Sequence, residues 1–151
     1  MRTVVEVFTS AAYRNGRAGL GIVLRAGGES VQVIRRAVLA GSPVEAAYRA
    51  ILTGLWYART TGTRRVRVYA DHAEAVRQLG GELDLPGELT GVYLQVRALM
   101  NAYRWSEMEF TARESNVEAA LAALEALDEE PLMGDEEYEA AVPLPLFARP
   151  R

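Results

Sequence analysis

The sequence predicts an α/β fold built on a mixed sheet, and three observations carry that reading. The first forty residues are strand-like runs punctuated by Asn15-Gly16 and Gly27-Gly28, which makes them an antiparallel meander. After Ser42-Pro43 the apolar spacing changes from strand-like to helical. Further on, the strand 66–70 runs straight into a helix start at Asp71, the hallmark of parallel α/β packing. Antiparallel and parallel pairing in one chain require a mixed sheet. With 151 residues, half of them apolar, the chain is long enough for one domain with a full core.

Each element has its own justification. Val4, Val5, Val7 and Phe8 form a short β-branched and aromatic run, as expected of a strand covered on both faces. Asn15-Gly16 turns the chain into a second strand reaching Leu24, and Ser30–Leu39 is the third. In Ser42-Pro43-Val44-Glu45 the Ser can cap, Pro suits the first helical position and Glu closes a capping box. Val44, Tyr48, Ile51, Leu52 and Leu55 then recur at helical spacing, and Gly62 ends that helix near residue 61. Val66–Ala70 is a strand, and Asp71-His72-Ala73-Glu74 repeats the box, with Asp71 as N-cap of a helix to about Leu79. Residues 80–88, GGELDLPGE, are a linker. Leu89, Val92, Tyr93, Val96, Leu99, Met100 and Tyr103 mark the clearest amphipathic helix. Trp105–Ala112 alternates, with Met108, Phe110 and Ala112 on one side, and is a strand. Ser115-Asn116-Val117-Glu118 starts a last helix to about Leu127, with Glu118 as the acid of its box. The order is β-β-β-α-β-α-α-β-α, with no internal repeat.

Composition narrows the function classes. No apolar run reaches the roughly 18 residues of a membrane span, and no signal-type segment follows Met1-Arg2, so the expected setting is cytoplasmic. There is no cysteine, which excludes disulfides and thiolate metal sites. All 17 basic residues are arginine, a compositional habit rather than a functional signal. Residues 1–127 carry 15 Arg against 13 acids, a net +2, while residues 128–151 carry 2 Arg against 7 acids, a net −5. A mildly basic domain, 1–127, therefore precedes an acidic linker and apolar tail, 128–151.

Four segments carry a family resemblance: VFTSAAYRNGRAGLGIVL, AAYRAILTGLWYA, VRVYADHAEAVRQL and ARESNVEAALAAL. Together they resemble the motifs of the ribonuclease H family over residues 3–127. The resemblance implies a five-stranded mixed sheet, its first three strands antiparallel, with helices on both faces. It also implies a site in which four acidic residues hold two divalent cations for phosphodiester hydrolysis. At those positions this chain has Ser10, Ala47, Asp71 and Ala120, so one carboxylate remains of four. Glu45 and Glu118 each precede a lost position by two residues, about 200° around a helix, and face elsewhere. The expectation is a catalytically inactive accessory or binding module without a cofactor. The alternative is a ribonuclease H-type hydrolase using Mg²⁺ or Mn²⁺ at a non-standard site around Asp71.

Nucleic-acid binding needs only basic, amide and hydroxyl groups, so it can outlive catalysis. Arg14, Arg17, Arg113 and Asn116 are the candidates for holding RNA/DNA hybrid or duplex, with Arg35, Arg36, Arg64, Arg65 and Arg67 as further basic positions. The tail ends in VPLPLFARPR, whose Leu144-Pro145-Leu146-Phe147 resembles the core of sliding-clamp-binding peptides, with Pro143 where that pattern has Gln. Leu144, Leu146 and Phe147 could fill a partner's groove, fold back onto their own domain or join a homodimer.

Overall fold

The computed structural model describes residues 3–130. Asn15 and Gly16 both adopt positive φ (50° and 80°), and the resulting tight turn joins β1 (Val5–Arg14) to β2 (Arg17–Ala26) with the twist the strands need. A second turn at Gly27-Gly28 leads into β3 (Glu29–Leu39), whose pairing with β2 shifts register between Leu24 and Arg25. The chain then makes α1 (Pro43–Arg59), β4 (Arg65–Ala70), α2 (Ala73–Leu79), α3 (Thr90–Ala102), β5 (Trp105–Phe110) and α4 (Val117–Leu127). The sheet order is β3-β2-β1-β4-β5, antiparallel among the first three strands and parallel from β1 to β4 and β4 to β5. The element order and the mixed sheet expected from the sequence, and the five strands with the first three antiparallel implied by the resemblance, are those of the structure.

The layers follow from residue size. On one face α1 packs over β1, β2 and β4, flanked by α2 and α3. Val7, Leu20, Ile22, Leu24, Tyr48, Ile51, Leu52, Leu55 and Leu99 are fully buried in this layer. Gly54 brings α1 close to β1, because a Cβ there would meet Val7 Cγ1 at 2.6 Å. On the other face α4 lies across β1, β2 and β3 on small side chains, Gly19 and Gly21 beneath Ala119, Ala122 and Ala123. Arg25–Glu118 (3.2 Å) and Arg35–Glu125 (3.0 Å) border this contact. Strand β4 alternates Val66, Val68 and Ala70 inward with Arg65, Arg67 and Tyr69 on the α4 side. There Tyr69 stacks on Phe8 at 4.6 Å between centroids. Among the described residues no helix is long and apolar enough to cross a membrane.

The helix starts separate one confirmed expectation from two corrections. At α1, Ser42 Oγ accepts from Glu45 N (3.1 Å), and Glu45 Oε1 reaches back to Gly41 N (2.8 Å), one residue beyond the usual box. Replacing Ser42 with alanine should cost about 1 kcal/mol in urea unfolding, with no change in m, since Glu45 keeps its own bond. At α2 the N-cap is His72 and not Asp71: His72 Nδ1 accepts from Ala75 N at 3.3 Å. At α4 the flanking residue is Asn116, which makes no side-chain cap bond. Glu118 closes no box and instead accepts from Arg25 (3.2 Å) and Ser30 (3.4 Å), a cross-element pairing the local spacing did not reveal. Strand β5 also stops at Phe110 rather than Ala112, and Phe110 is half exposed at the end of an edge strand.

Candidate functional site

The middle of β1, at Thr9 and Ser10, and the C-terminal end of β4 meet the start of α4, and the polar groups of the sheet interior converge there. Thr9 pairs with Ala70 as the last step of the parallel ladder, so Ser10 and Asp71 are the next residues in that register. Asp71 leaves β4 directly and its side chain is 2% exposed. A carboxylate this deep needs partners. Asn116 Nδ2 donates to Asp71 Oδ2 (3.0 Å) and to the Thr9 carbonyl (2.9 Å), tying α4 to both strands. Arg113 Nε lies 3.5 Å from the same Oδ2, while most of its side chain remains exposed. Thr9 Oγ1 in turn donates to the Tyr69 carbonyl at 3.0 Å.

These contacts explain why Asp71 is no cap. Its carboxylate is drawn to Asn116 and Arg113, more than forty residues on, and the next residue takes the local role. His72 Nδ1 accepts from Ala75 N, so that ring nitrogen is committed to the first turn of α2.

Ser10 is 3% exposed, and its Oγ has no hydrogen-bond partner among the described residues. It pairs with Gly21 on β2, so its side chain shares the face covered by α4. Ala120 sits one turn into α4, its N–H donating to the Asn116 carbonyl (3.0 Å). Ala47 approaches from the opposite face, two turns before Gly54, which packs on Val7 and Thr9. Beside it Tyr48 is buried: its hydroxyl donates to Gln78 Oε1 (2.9 Å), and Gln78 Nε2 donates to Glu74 Oε2 (3.2 Å). Burial, with smaller contributions from Tyr93 and Glu74, pushes the Tyr48 phenol far above its usual range.

The structure thus gathers Asp71, Arg113 and Asn116 where β4 ends, with Ser10 one residue past the Thr9–Ala70 step of the ladder and Ala120 one turn along α4. The donor set does not fit a pair of divalent cations. Such ions take several carboxylate oxygens, whereas Ala47 and Ala120 end at Cβ and the Asp71 oxygen is already shared by an amide and a guanidinium. Among the described residues no three His, Cys, Asp or Glu side chains cluster as a metal site would. Arg14 and Arg17 lie elsewhere, at the far end of α4, bonded to Asp128 Oδ1 (3.3 Å) and the Glu129 carbonyl (2.6 Å). An eleven-residue helix, about 16 Å, separates them from Asn116. Leu144, Leu146 and Phe147 fall outside the described residues. Sequence reasoning missed Thr9, whose carbonyl anchors Asn116; only its place beside Ser10 could have signalled it.

Comparison with known proteins accords with this architecture. The sequence profile described as reverse transcriptase-like matches residues 7–126. No curated protein sequence matches the chain. Among solved structures, RNase H1 from the halophilic archaeon Halobacterium salinarum is similar with a TM-score of 0.79 at 24% identity, covering 84% of this chain and 99% of that one. The N-terminal RNase H domain of a Mycobacterium tuberculosis protein gives 0.76 at 26% identity, covering 83% and 94%. An RNase H1 named LC11, solved in complex with an RNA/DNA hybrid, gives 0.75 at 20% identity, covering 82% and 96%.

Proposed function

The chain belongs to the reverse transcriptase-like, ribonuclease H-like family, and from that premise we propose that it is a non-catalytic, nucleic-acid-associated binding module. The observation that carries this reading is the condition of Asp71, whose buried carboxylate is held by Asn116 and Arg113. By the resemblance of the four motifs, Ser10, Ala47 and Ala120 fall where the family's other carboxylates would stand. The side chains present can hold a strand without activating water on it. Arg113 offers the exposed part of its guanidinium to a phosphate while its Nε stays near Asp71. The ligand class follows the relative solved with an RNA/DNA hybrid: hybrid or duplex, bound through its backbone. Binding and cleavage are separable measurements.

Fluorescence anisotropy on the full chain with a short labelled hybrid should show affinity falling with salt, with a log–log slope of about −2 to −3 for two or three phosphate contacts. Arg113→Ala should flatten that slope by about one. No cleavage is expected with Mg²⁺ or Mn²⁺. The buried, unpartnered Ser10 hydroxyl, one residue past the end of the ladder that leads to Asp71, is the feature that favours the second reading, a hydrolase with a non-standard site. Metal-dependent cleavage that disappears in Asp71→Asn would establish that reading instead. Absence of any hybrid or duplex binding at low salt would remove the binding module.

A further inference from the structure

The parallel strands β4 and β5 begin side by side at the end of the sheet remote from Asp71. Six residues of β4, about 20 Å, separate the two ends. Two adjoining cavities of about 480 and 370 Å³ open there, sharing Gly62, Thr63, Arg64 and Arg104. Arg59, from the last turn of α1, lines the first, and Arg65 lines the second. Neither cavity is lined by an acid.

The backbone fixes this juxtaposition. The N–H groups of Arg104 and Trp105 both donate to the Arg64 carbonyl (2.9 and 3.2 Å), so Arg64 and Arg104 are neighbours across the ladder. Elsewhere in the described chain seven arginines (14, 25, 35, 49, 67, 77 and 113) have carboxylate partners. Among the described residues, Arg59, Arg64 and Arg104 form no ion pair. The Nε of Arg65 is buried without an acceptor while its guanidinium lies over the Trp105 ring. Like charges held together without counter-charge repel, and an anion in the cleft relieves that repulsion. The planar, five-donor arginine head matches the oxygens of a phosphoryl group.

We infer that the cleft framed by Arg59, Arg64, Arg65 and Arg104 is a binding site for a phosphoryl group. That group comes from a nucleic-acid strand or from a soluble polyphosphate. The site does not depend on the function proposed for the Asp71 end, because its chemistry and its residues are separate.

The test uses the full chain, with inorganic pyrophosphate titrated by calorimetry at low salt and a short RNA/DNA hybrid followed by anisotropy. Arg64 and Arg104 are exposed, so the double variant Arg64→Gln/Arg104→Gln should keep the fold. It should bind pyrophosphate at least about tenfold more weakly than the unaltered chain, the scale expected for removing one charge-assisted hydrogen bond. The double variant Arg14→Gln/Arg17→Gln should bind it unchanged. A parallel loss of hybrid binding assigns the phosphate to a strand, and hybrid binding that is retained assigns it to a soluble ligand. Pyrophosphate that fails to bind the unaltered chain, or binds the cleft variant equally well, overturns the site. A hybrid that binds no form counts only against the function proposed above, because the pyrophosphate arm decides the cleft.

Discussion

Gly21→Ala should destabilise the folded protein by about 3 kcal/mol, the upper end for overpacking, because the added methyl meets backbone that cannot step aside. A Cβ at Gly21 would stand 2.0 Å from the Ala119 carbonyl oxygen and 2.6 Å from Ala123 N. Those atoms belong to the hydrogen-bonded spine of α4, so the whole helix must lift. Gly19 lies under the same helix two residues away, with Ala123 O at 2.0 Å and Leu127 N at 2.4 Å from its hypothetical Cβ. Both glycines are therefore required by close approach of helix and sheet. For a chain of this size the loss corresponds to a fall in Tm of about 6–12 °C, measurable by circular dichroism. Gly91→Ala in α3 is the control: its Cβ meets nothing, and alanine suits a helix better, so stability should hold or rise by up to about 1 kcal/mol. Equal melting of Gly21→Ala and the unaltered chain would mean that α4 does not pack as described.

Asn116→Ala should cost about 2–3 kcal/mol, since it strands two buried acceptors at once. The Thr9 carbonyl loses its donor from α4, and the Asp71 carboxylate is left with Arg113 alone. The partner variant Asp71→Ala removes the second acceptor. A double-mutant cycle between the two should give a coupling of about 1 kcal/mol or more by urea unfolding, the range of contacting polar pairs. The cycle bears on what Asp71 does in this chain. Were it an N-cap, its removal would act through α2 and add independently to the loss of Asn116. Coupling near zero would therefore return Asp71 to a capping role and contradict the contact with Asn116.

What the sequence made legible divides by range. Asn15-Gly16 fixes the first hairpin through local φ preferences, and helical spacing places Tyr48, Ile51, Leu52 and Leu55 in the core, as the structure has them. Such features depend on neighbours within a few residues. The roles of Asp71 and Glu118 do not. Both occupy good capping positions, yet each finds a partner from a distant element, Asn116 for the first and Arg25 for the second. A competition between a near backbone N–H and a far side chain is decided by packing, which spacing does not encode. The resemblance located Ser10, Ala47, Asp71 and Ala120, but not that Asn116 would bridge Thr9 and Asp71. The arginine cleft was legible only in part. Arg64 and Arg65 stood among the basic positions, whereas Arg59 and Arg104 join them only because α1 ends, and β5 begins, beside the start of β4.

The placement of α4 also bears on how the chain comes together in time. The helix that closes over Gly19 and Gly21 is the last described element to be synthesised, roughly a hundred residues after the hairpin it covers. The three-stranded meander and α1 can associate through contacts near in sequence, but one side of that sheet stays open to solvent until residue 127 has been made. During that interval Val23, fully buried in the finished protein, has no cover from α4 and is available to other chains. The glycines that permit such a close final fit therefore also leave the nascent sheet with little side-chain bulk of its own, and its protection depends on the prompt arrival of α4.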